Sequence, residues 1–421
     1  MSSPPILDQK WRRQRITQAG SLLALLDQPD GRATLEAEAD DPTLDDDDRL
    51  ITRQQLNYLL AVRAQERKSG ARLELFFSTD DVIIVPGFMG SRLSDVDGPN
   101  GLIWIDPSLV IQGGPLNALK LASYQKGVLD HDAAVGVRIE APGPIPAIYD
   151  LMAADLELRR YSVAIHAFDW RKDIDHSAVI LADQIRARLG RKPRPLHLIA
   201  HSQGSLVARR AIQILGAAQA RRLVNNLVLL GPATFGTFSA VFALAGTHES
   251  LDMARKFGVK IPPNFERVMQ SFTGLYQLLP WNPALSANGY NPKELNDKDF
   301  WKAGAEADRL KYGFGWTGQV DTTFFNDCTT IILGDRPTVG AAAYDKNGKL
   351  SPSGKLVPGD GTVPDTLAML PGVRTYRVSG ADHMSLPMNL SVMGSVRAIL
   401  KHETPRLSFQ EYNASRQAFD S

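Results

Sequence analysis

The chain has 421 residues and a formal net charge of +1, so no overall electrostatic field favours nucleic acid or an acidic partner. Its hydrophobic fraction of 43% and charged fraction of 22% are those of an ordinary globular protein with one large domain or two. The single cysteine, Cys328, excludes an intramolecular disulfide and fits a reducing compartment. The N-terminal residues lack the apolar core and cleavage site of a signal peptide, so we expect a cytoplasmic location in a bacterium.

Residues 1–75 are charged and helical in character. Two helical runs, 11–26 and 53–68, flank an acidic stretch at 36–48 that contains a proline and is typical of a solvated linker. We therefore predict a helical N-terminal extension. Its basic first run favours packing against its own domain or against a protein partner, with a transient contact to a membrane surface as the alternative.

From residue 76 to 421 the pattern changes to short apolar runs that alternate with helical segments. The predicted buried strands are 81–87, 161–170, 195–201, 223–231, 329–334 and 373–380. The predicted helices are 148–160, 177–190, 204–218 and 390–401. Strands rich in Val and Ile that alternate with helices indicate an α/β fold, with a mostly parallel sheet covered by helices on both faces.

Two long segments interrupt this alternation. Residues 91–145 separate the first predicted strand from its helix, and residues 235–326 separate the fourth strand from the fifth. Structureless loops of such length are uncommon inside a domain, so we predict insertions with secondary structure of their own. The second segment is rich in aromatic residues, which suits a cap over the sheet edge where open α/β sheets bind ligands.

One serine lies where a predicted strand turns into a helix. In "HLIAHSQGSL" (197–206), Ser202 has the small residues Ala200 and Gly204 two positions before and after it. Such a turn can hold a serine with its hydroxyl raised from the sheet edge as a nucleophile. The usual pattern has glycine in place of Ala200, and the alanine is acceptable where the local backbone has a negative φ angle.

A histidine and an acid follow in the chain order that such a fold uses. His383, on the loop after the last predicted strand, suits a general base and acid toward Ser202. The acid is Asp360, in a glycine turn, or Asp335, directly after the fifth strand, whereas Asp382 cannot easily turn back onto the neighbouring ring. His201, adjacent to Ser202, fits the role of the base less well, because we expect its ring to face elsewhere on the turn.

Several segments together resemble the lecithin:cholesterol acyltransferase family, which includes lysosomal phospholipase A and diacylglycerol acyltransferases. They occur in the family's order and are "VIIVPGFMGSRL" (82–93), "LIWID" (102–106), "FDWRKD" (168–173), "HSQGSLVARR" (201–210), "GDGTVP" (359–364) and the histidine of "ADHMSL". The resemblance covers most of residues 80–400 and implies an α/β-hydrolase fold with a cap. Residues 1–75 lie outside it.

The resemblance implies an acyl hydrolase or acyltransferase that acts on lipid esters. By position it assigns Ser202 as nucleophile, Asp360 as acid and His383 as base. It also assigns the backbone N–H groups of Phe88 and Gln203 to the oxyanion site. Asp169, Trp170 and Arg171 of the "FDWR" segment are interpreted as structural support. The family's disulfide-braced lid has no counterpart in a chain with one cysteine.

An apolar cap over a serine at the sheet edge would form a pocket for an acyl chain. The candidate substrate-binding residues are Met89, Trp104, Phe235 and Tyr276, and ordinary core packing is the alternative for each. We therefore predict a serine hydrolase of carboxylic lipid esters, with no metal or organic cofactor. The alternatives are an O-acyltransferase, amide cleavage by the same triad, and an interaction module that recruits a partner through residues 1–75.

Overall fold

A seven-stranded sheet forms the centre of the computed structural model. The model describes residues 80–98, 101–104, 115–187, 194–248, 265–282, 292–301 and 304–412, together with positions 33, 36, 56 and 60. Apart from those four positions, the predicted N-terminal extension lies outside the described residues.

The strands follow the predicted apolar runs closely. In chain order they are β1 (Asp81–Val85), β2 (Ser91–Asp95), β3 (Gly101–Trp104), β4 (Ile139–Pro144), β5 (Ser162–Ile165), β6 (Leu196–His201), β7 (Asn226–Leu230), β8 (Thr329–Leu333), β9 (Thr338–Val339), β10 (Ala342–Tyr344), β11 (Leu350–Pro352), β12 (Leu356–Val357), β13 (Arg374–Arg377) and β14 (Ser408–Gln410). The central sheet has the order β14-β13-β8-β7-β6-β1-β5. Its strands pair in parallel except at β13–β14, which is antiparallel. The predicted α/β-hydrolase fold with a mostly parallel sheet is confirmed.

Helices cover both faces of this sheet. The α-helices are α1 (Pro146–Leu158), α2 (Ile174–Arg186), α3 (Gln203–Leu223), α4 (Phe238–Leu244), α5 (Phe265–Met269), α6 (Thr273–Tyr276), α7 (Ala307–Gly313), α8 (Asp365–Ala368) and α9 (Leu390–Leu400). Alternate side chains of one strand point to opposite faces. Val82 and Ile84 of β1 therefore pack with α1 and α9, whereas Ile83 and Val85 pack with α2 and α3.

The two predicted insertions contain different secondary structure. In 91–145, strands β2, β3 and β4 form a small antiparallel sheet in which β2 is central. In the described part of 235–326, the elements are α4 to α7 and short 3-10 turns. Among the described residues, no helix is both long and apolar enough to cross a membrane.

Two buried arginines connect the first insertion to the rest of the molecule. Arg171 donates to Asp132 at 2.9 Å and to Asp169 at 2.6 Å, while Arg309 of α7 lies 3.1 Å from Asp130. Both arginine side chains are completely shielded from solvent. A buried arginine without its carboxylate partner strongly destabilises the folded state. Because Asp130 and Asp132 supply these carboxylates, the pairs hold residues 130–132 in place. The interpretation of Arg171 as structural support agrees with this geometry.

Candidate active site

The turn at Ser202 has the backbone geometry of a strained strand-to-helix junction. β6 ends at His201 and α3 begins at Gln203, and between them Ser202 has φ +53° and ψ −124°. Non-glycine residues rarely adopt positive φ, and such strain persists only where the surroundings enforce it. The Ser202 N–H donates to the Leu230 carbonyl at 3.0 Å, which ties the turn to the end of β7. The half-buried Ser202 hydroxyl thus sits at the carboxyl edge of the sheet.

Small residues around the turn allow the chain segments to approach closely. A Cβ atom added at Gly204 would lie 2.2 Å from the Pro86 carbonyl oxygen, and one at Gly87 would lie 2.8 Å from the Ser202 Cβ. Neither position can carry a side chain without a backbone shift. Ala200 lies inside β6, fully buried and paired with Val85 on β1. Its extended strand backbone explains why alanine is tolerated there.

Asp360 and His383 form a buried hydrogen-bonded pair. The His383 Nδ1 lies 2.7 Å from Asp360 Oδ2, and the His383 N–H donates to the Asp360 carbonyl at 2.8 Å. The other carboxylate oxygen accepts from the N–H groups of Thr362 and Val363. The carboxylate on His383 is that of Asp360, whereas Asp335 is exposed and its N–H donates to the Ala381 carbonyl. The geometry therefore favours Asp360 over Asp335 as the partner of His383.

This pairing keeps Asp360 ionised. Burial alone would raise the pKa of Asp360, but the charge and hydrogen bond of His383 outweigh burial. The two backbone N–H groups act in the same direction, and the pKa of Asp360 falls below its ordinary value. Because the ionised carboxylate accepts a hydrogen bond from the Nδ1–H of His383, the lone pair of the neutral ring is on Nε2. Nε2 is therefore the atom that can take a proton from a hydroxyl.

Gly231 brings the pair and the serine to the same sheet edge. It directly follows β7 with φ +49°, next to Leu230, whose carbonyl binds the Ser202 N–H. A Cβ atom built on Gly231 would lie 2.6 Å from Asp360 Oδ2 and 2.9 Å from His383 Nδ1. Only a residue without a side chain fits between the end of β7 and the pair.

The two predicted oxyanion donors belong to segments that meet at the turn, since Gly87 lies against Ser202 and Gln203 follows it. Gln203 is the first residue of α3, so its N–H has no acceptor within the helix and stands at the positive end of the helix dipole. Phe88 belongs to a tight turn closed by the Gly90 N–H on the Gly87 carbonyl at 3.0 Å, and the next residue, Met89, has φ +59°. Both N–H groups remain the predicted donors.

Two of the predicted pocket residues, Met89 and Trp104, lie together with Phe88 beside this turn. The Trp104 Nε1 donates to the Met89 carbonyl at 3.0 Å. The rings of Trp104 and Phe88 pack edge-to-face on Trp170, with centroids 5.7 and 5.0 Å away. Phe88, Met89 and Trp104 are half-buried and pack against the main hydrophobic core. Phe235, also half-buried, is held by backbone hydrogen bonds to Leu367 and Trp281.

The structure corrects the expectation for Tyr276. Its side chain is fully buried. Its hydroxyl donates to the Gln270 carbonyl at 2.7 Å and accepts from the Glu306 N–H at 2.9 Å. Both hydrogen-bonding directions of the phenol are occupied by backbone groups, so Tyr276 is a core residue that joins α6 to the start of α7.

As expected, His201 directs neither ring nitrogen to Ser202, but its ring contacts that of His383, which the sequence did not indicate. Its Nε2 lies 3.0 Å from the His383 carbonyl oxygen, its Nδ1 lies 2.9 Å from the Tyr149 hydroxyl, and its ring centroid is 4.8 Å from that of His383. The one available signal was a histidine at each end of the otherwise apolar strand "LHLIAH". Within the described residues, no cluster of three His, Cys, Asp or Glu side chains could hold a metal ion.

The chain is similar to known proteins in both sequence and structure. A model described as the alpha/beta hydrolase family matches residues 141–391. No curated protein matches the sequence. The structure is similar to the mature form of a Bacillus licheniformis lipase, with 15% identity, 76% of this chain and 91% of that chain covered, and a TM-score of 0.38. It is also similar to the Tle4–Tli4 complex, with 14% identity, 77% of this chain and 99% of that chain covered, and a TM-score of 0.44. For a Bacillus subtilis carboxylesterase the identity is 11%, the coverage is 83% of this chain and 98% of that chain, and the TM-score is 0.35.

Proposed function

The chain belongs to the alpha/beta hydrolase family, and we propose that it is a serine hydrolase that cleaves carboxylic esters of lipids. The observation that carries this proposal is the strained Ser202, at the same sheet edge as the Asp360–His383 pair. Strain of this kind costs roughly 1–3 kcal/mol and is concentrated at functional sites.

The reaction follows from the atoms that these residues present. The Ser202 Oγ attacks the ester carbonyl carbon while Nε2 of His383 takes its proton, and the carbonyl electron pair moves to oxygen. The N–H groups of Phe88 and Gln203 receive this oxyanion, each contributing about 3–4 kcal/mol. His383 then gives its proton to the departing alcohol as the C–O bond breaks, which leaves an acyl group on Ser202. Water, deprotonated by His383, releases the carboxylic acid and restores the serine.

The preference for lipid esters is supported by the surroundings of the serine. The half-buried Phe88, Met89 and Trp104 offer apolar surface beside Ser202, which suits an acyl chain more than a charged group. The segments that resemble the lecithin:cholesterol acyltransferase family point in the same direction. A cap role for 235–326 is supported by the position of Gly274. Its N–H donates to the Arg171 carbonyl, and a Cβ added there would lie 2.8 Å from the side-chain nitrogen of Gln203.

Covalent labelling and ester turnover test the proposal. We expect a fluorophosphonate probe to label the wild type, and the label to be absent from Ser202→Ala. Turnover of p-nitrophenyl esters should be lost in Ser202→Ala and His383→Ala, and long-chain esters should react faster than acetate. Ser205→Ala is the matched control, because it keeps the bond from the residue 205 N–H to the Ser202 carbonyl and loses only the hydroxyl bond to the same oxygen. A wild type that neither labels nor turns over any ester would contradict the proposal.

The same assay with added alcohols separates hydrolysis from acyl transfer. A hydrolase yields the free acid in the presence of glycerol or a sterol, whereas an acyltransferase yields the new ester. Predominant formation of the new ester would replace hydrolysis by the acyltransferase alternative while leaving the triad in place.

A further inference from the structure

A buried chain of hydrogen bonds connects the oxyanion loop to the backbone of the catalytic histidine. The Gly87 N–H donates to the Tyr149 hydroxyl oxygen at 2.8 Å. That hydroxyl is 2.9 Å from Nδ1 of His201, and Nε2 of His201 is 3.0 Å from the carbonyl oxygen of His383. Gly87 precedes Phe88, so the chain runs from one proposed oxyanion donor to the proposed general base.

The partners determine the direction of every bond in this chain. A carbonyl oxygen can only accept, so Nε2 of His201 carries a proton and donates to His383. In the neutral ring, Nδ1 then has a free lone pair and accepts from the Tyr149 O–H. The phenol oxygen in turn accepts from the Gly87 N–H. Every donor in this chain of hydrogen bonds has an acceptor. With a neutral His201 ring, no other placement of the protons satisfies the same atoms.

The environment keeps both side chains in these protonation states. Burial, with a smaller contribution from the charge of His383, lowers the pKa of His201 to about 3. Burial also raises the pKa of Tyr149. His201 is therefore neutral at physiological pH and keeps one tautomer. Tyr149 and His201 are almost fully inaccessible to solvent, which leaves water little access to the hydrogen bonds that link them.

We propose that His201 and Tyr149 are positioning residues that hold the oxyanion loop and the His383 loop at a constant separation across Ser202. The inference rests on the proposed function and adds two residues to its machinery. Neither side chain touches the reacting atoms. Their contribution is geometric, because a misplacement of about 1 Å in a catalytic group can reduce the rate by about 10²-fold.

The strand offers a matched control for His201. His197 lies four residues earlier in β6 and is also buried, but its ring contacts Asp80 and Asn226 at the opposite end of the sheet. We compare His201→Leu, His201→Gln, His197→Leu and His197→Gln in the full chain. A glutamine can place an N–H near the position of the histidine Nε2 and donate to the His383 carbonyl, whereas a leucine cannot.

Steady-state kinetics with a p-nitrophenyl ester give the main readout. We expect His201→Leu to lower kcat by roughly 10²-fold with little change in KM, and His201→Gln to recover most of the loss. His197→Leu should unfold at lower temperature and keep the wild-type kcat. Should His201→Leu fail to fold, Tyr149→Phe provides the second variant. It removes one hydroxyl that bonds to Gly87 and should lower kcat about tenfold.

The outcomes separate this inference from the proposed function. An inert wild type overturns the proposed function and this inference with it. If the wild type is active, two results would overturn the inference and leave the proposed function intact. The first is an equal kcat in His201→Leu and His201→Gln. The second is a loss of activity in His197→Leu as large as that in His201→Leu.

A spectroscopic measurement tests the geometry without any substrate. In protein labelled with ¹⁵N-histidine, the His201 resonances, assigned with His201→Gln, should show the neutral Nε2–H tautomer down to about pH 5, well below an ordinary histidine pKa. A His201 that titrates at the ordinary value would contradict the buried hydrogen-bonded chain.

Discussion

The two ends of β6 contain the same pair of residue types in different surroundings. At the carboxyl end the His201 ring lies 5.9 Å from Tyr149, and at the amino end the His197 ring lies 6.2 Å from Tyr161. Burial lowers the pKa of both histidines. At the amino end, Asp80 partly opposes this shift through a contact at 3.3 Å, whereas the hydrogen-bond partners of His201 are neutral.

The two ends differ in the groups that their hydrogen bonds reach, and not simply in backbone strain. Beyond the carboxyl edge, Ser202, Gly231 and Met89 all have positive φ angles. Positive φ angles also occur near the amino end, at Arg160 next to Tyr161 and at His402, whose charge acts on His197. Backbone strain alone does not distinguish the two ends. A buried Tyr–His pair is therefore a structural element in itself. It joins the proposed site only at the carboxyl end, where its hydrogen bonds reach the Gly87 N–H and the His383 carbonyl.

Replacement of the carboxylate partner should produce the largest difference between the two ends. Asp360→Asn removes the charge that holds the tautomer of His383, and we expect kcat to fall by about 10⁴-fold. Asp80→Asn makes the same change beside His197 and should leave kcat at the wild-type value. The rates of ester turnover and of fluorophosphonate labelling measure the effects of both substitutions. Equal losses in the two variants would remove the functional distinction between the ends.

Gly231→Ala should have the next largest effect. The new Cβ would lie within 2.6 Å of Asp360 Oδ2, so the pair must move, and we expect kcat to fall by about 10²-fold. Gly216→Ala is the control, since Gly216 also has a positive φ of +70° but nothing within 4 Å of an added Cβ. Urea unfolding should show a loss of stability in both variants, because alanine is strained at a positive φ, whereas kcat should fall only in Gly231→Ala. A normal kcat in Gly231→Ala would argue against the placement of the pair.

The loss of folding stability at acid pH should differ between His201 and His197, by less than the effects above. Below the ordinary value of 6.5, the unfolded chain protonates residue 201, whereas the folded protein resists protonation until about pH 3. The stability of the folded state therefore decreases as the pH falls through this window, by up to about 1.4 kcal/mol per pH unit. His201→Gln should remove this slope, and His197→Gln should remove less of it because Asp80 opposes the shift. Urea unfolding between pH 7 and 4 measures the slopes, and an unchanged slope in His201→Gln would contradict the prediction.

Ala200→Gly, which restores the usual glycine of the serine turn, should have the smallest effect. Ala200 lies in the strand and not in the strained turn, so glycine brings no needed freedom and costs about 0.5–1 kcal/mol in stability. We expect an unchanged kcat and a small decrease in the urea midpoint. A gain in kcat would mean that the turn itself is restricted by the alanine.

Local patterns in the sequence were enough to predict the central features of the fold. The six apolar runs became the strands β1, β5, β6, β7, β8 and β13. The edge strand β14 was missed because its three residues, "SFQ", are largely exposed and carry no apolar run. The prediction of Ser202, Asp360 and His383 depended on chain order and family resemblance, and the structure places all three at one edge of the sheet.

Contacts between residues far apart in the chain decided the rest. His201 lies 52 residues from Tyr149 and 182 from His383, so no local pattern could indicate that its ring joins them. Tyr276 has the aromatic character of a pocket residue, but the positions of Gln270 and Glu306 made it a core residue. Strand periodicity determines which side chains face the interior. Which partners they meet there depends on how distant segments pack, and only the tertiary structure contains that information.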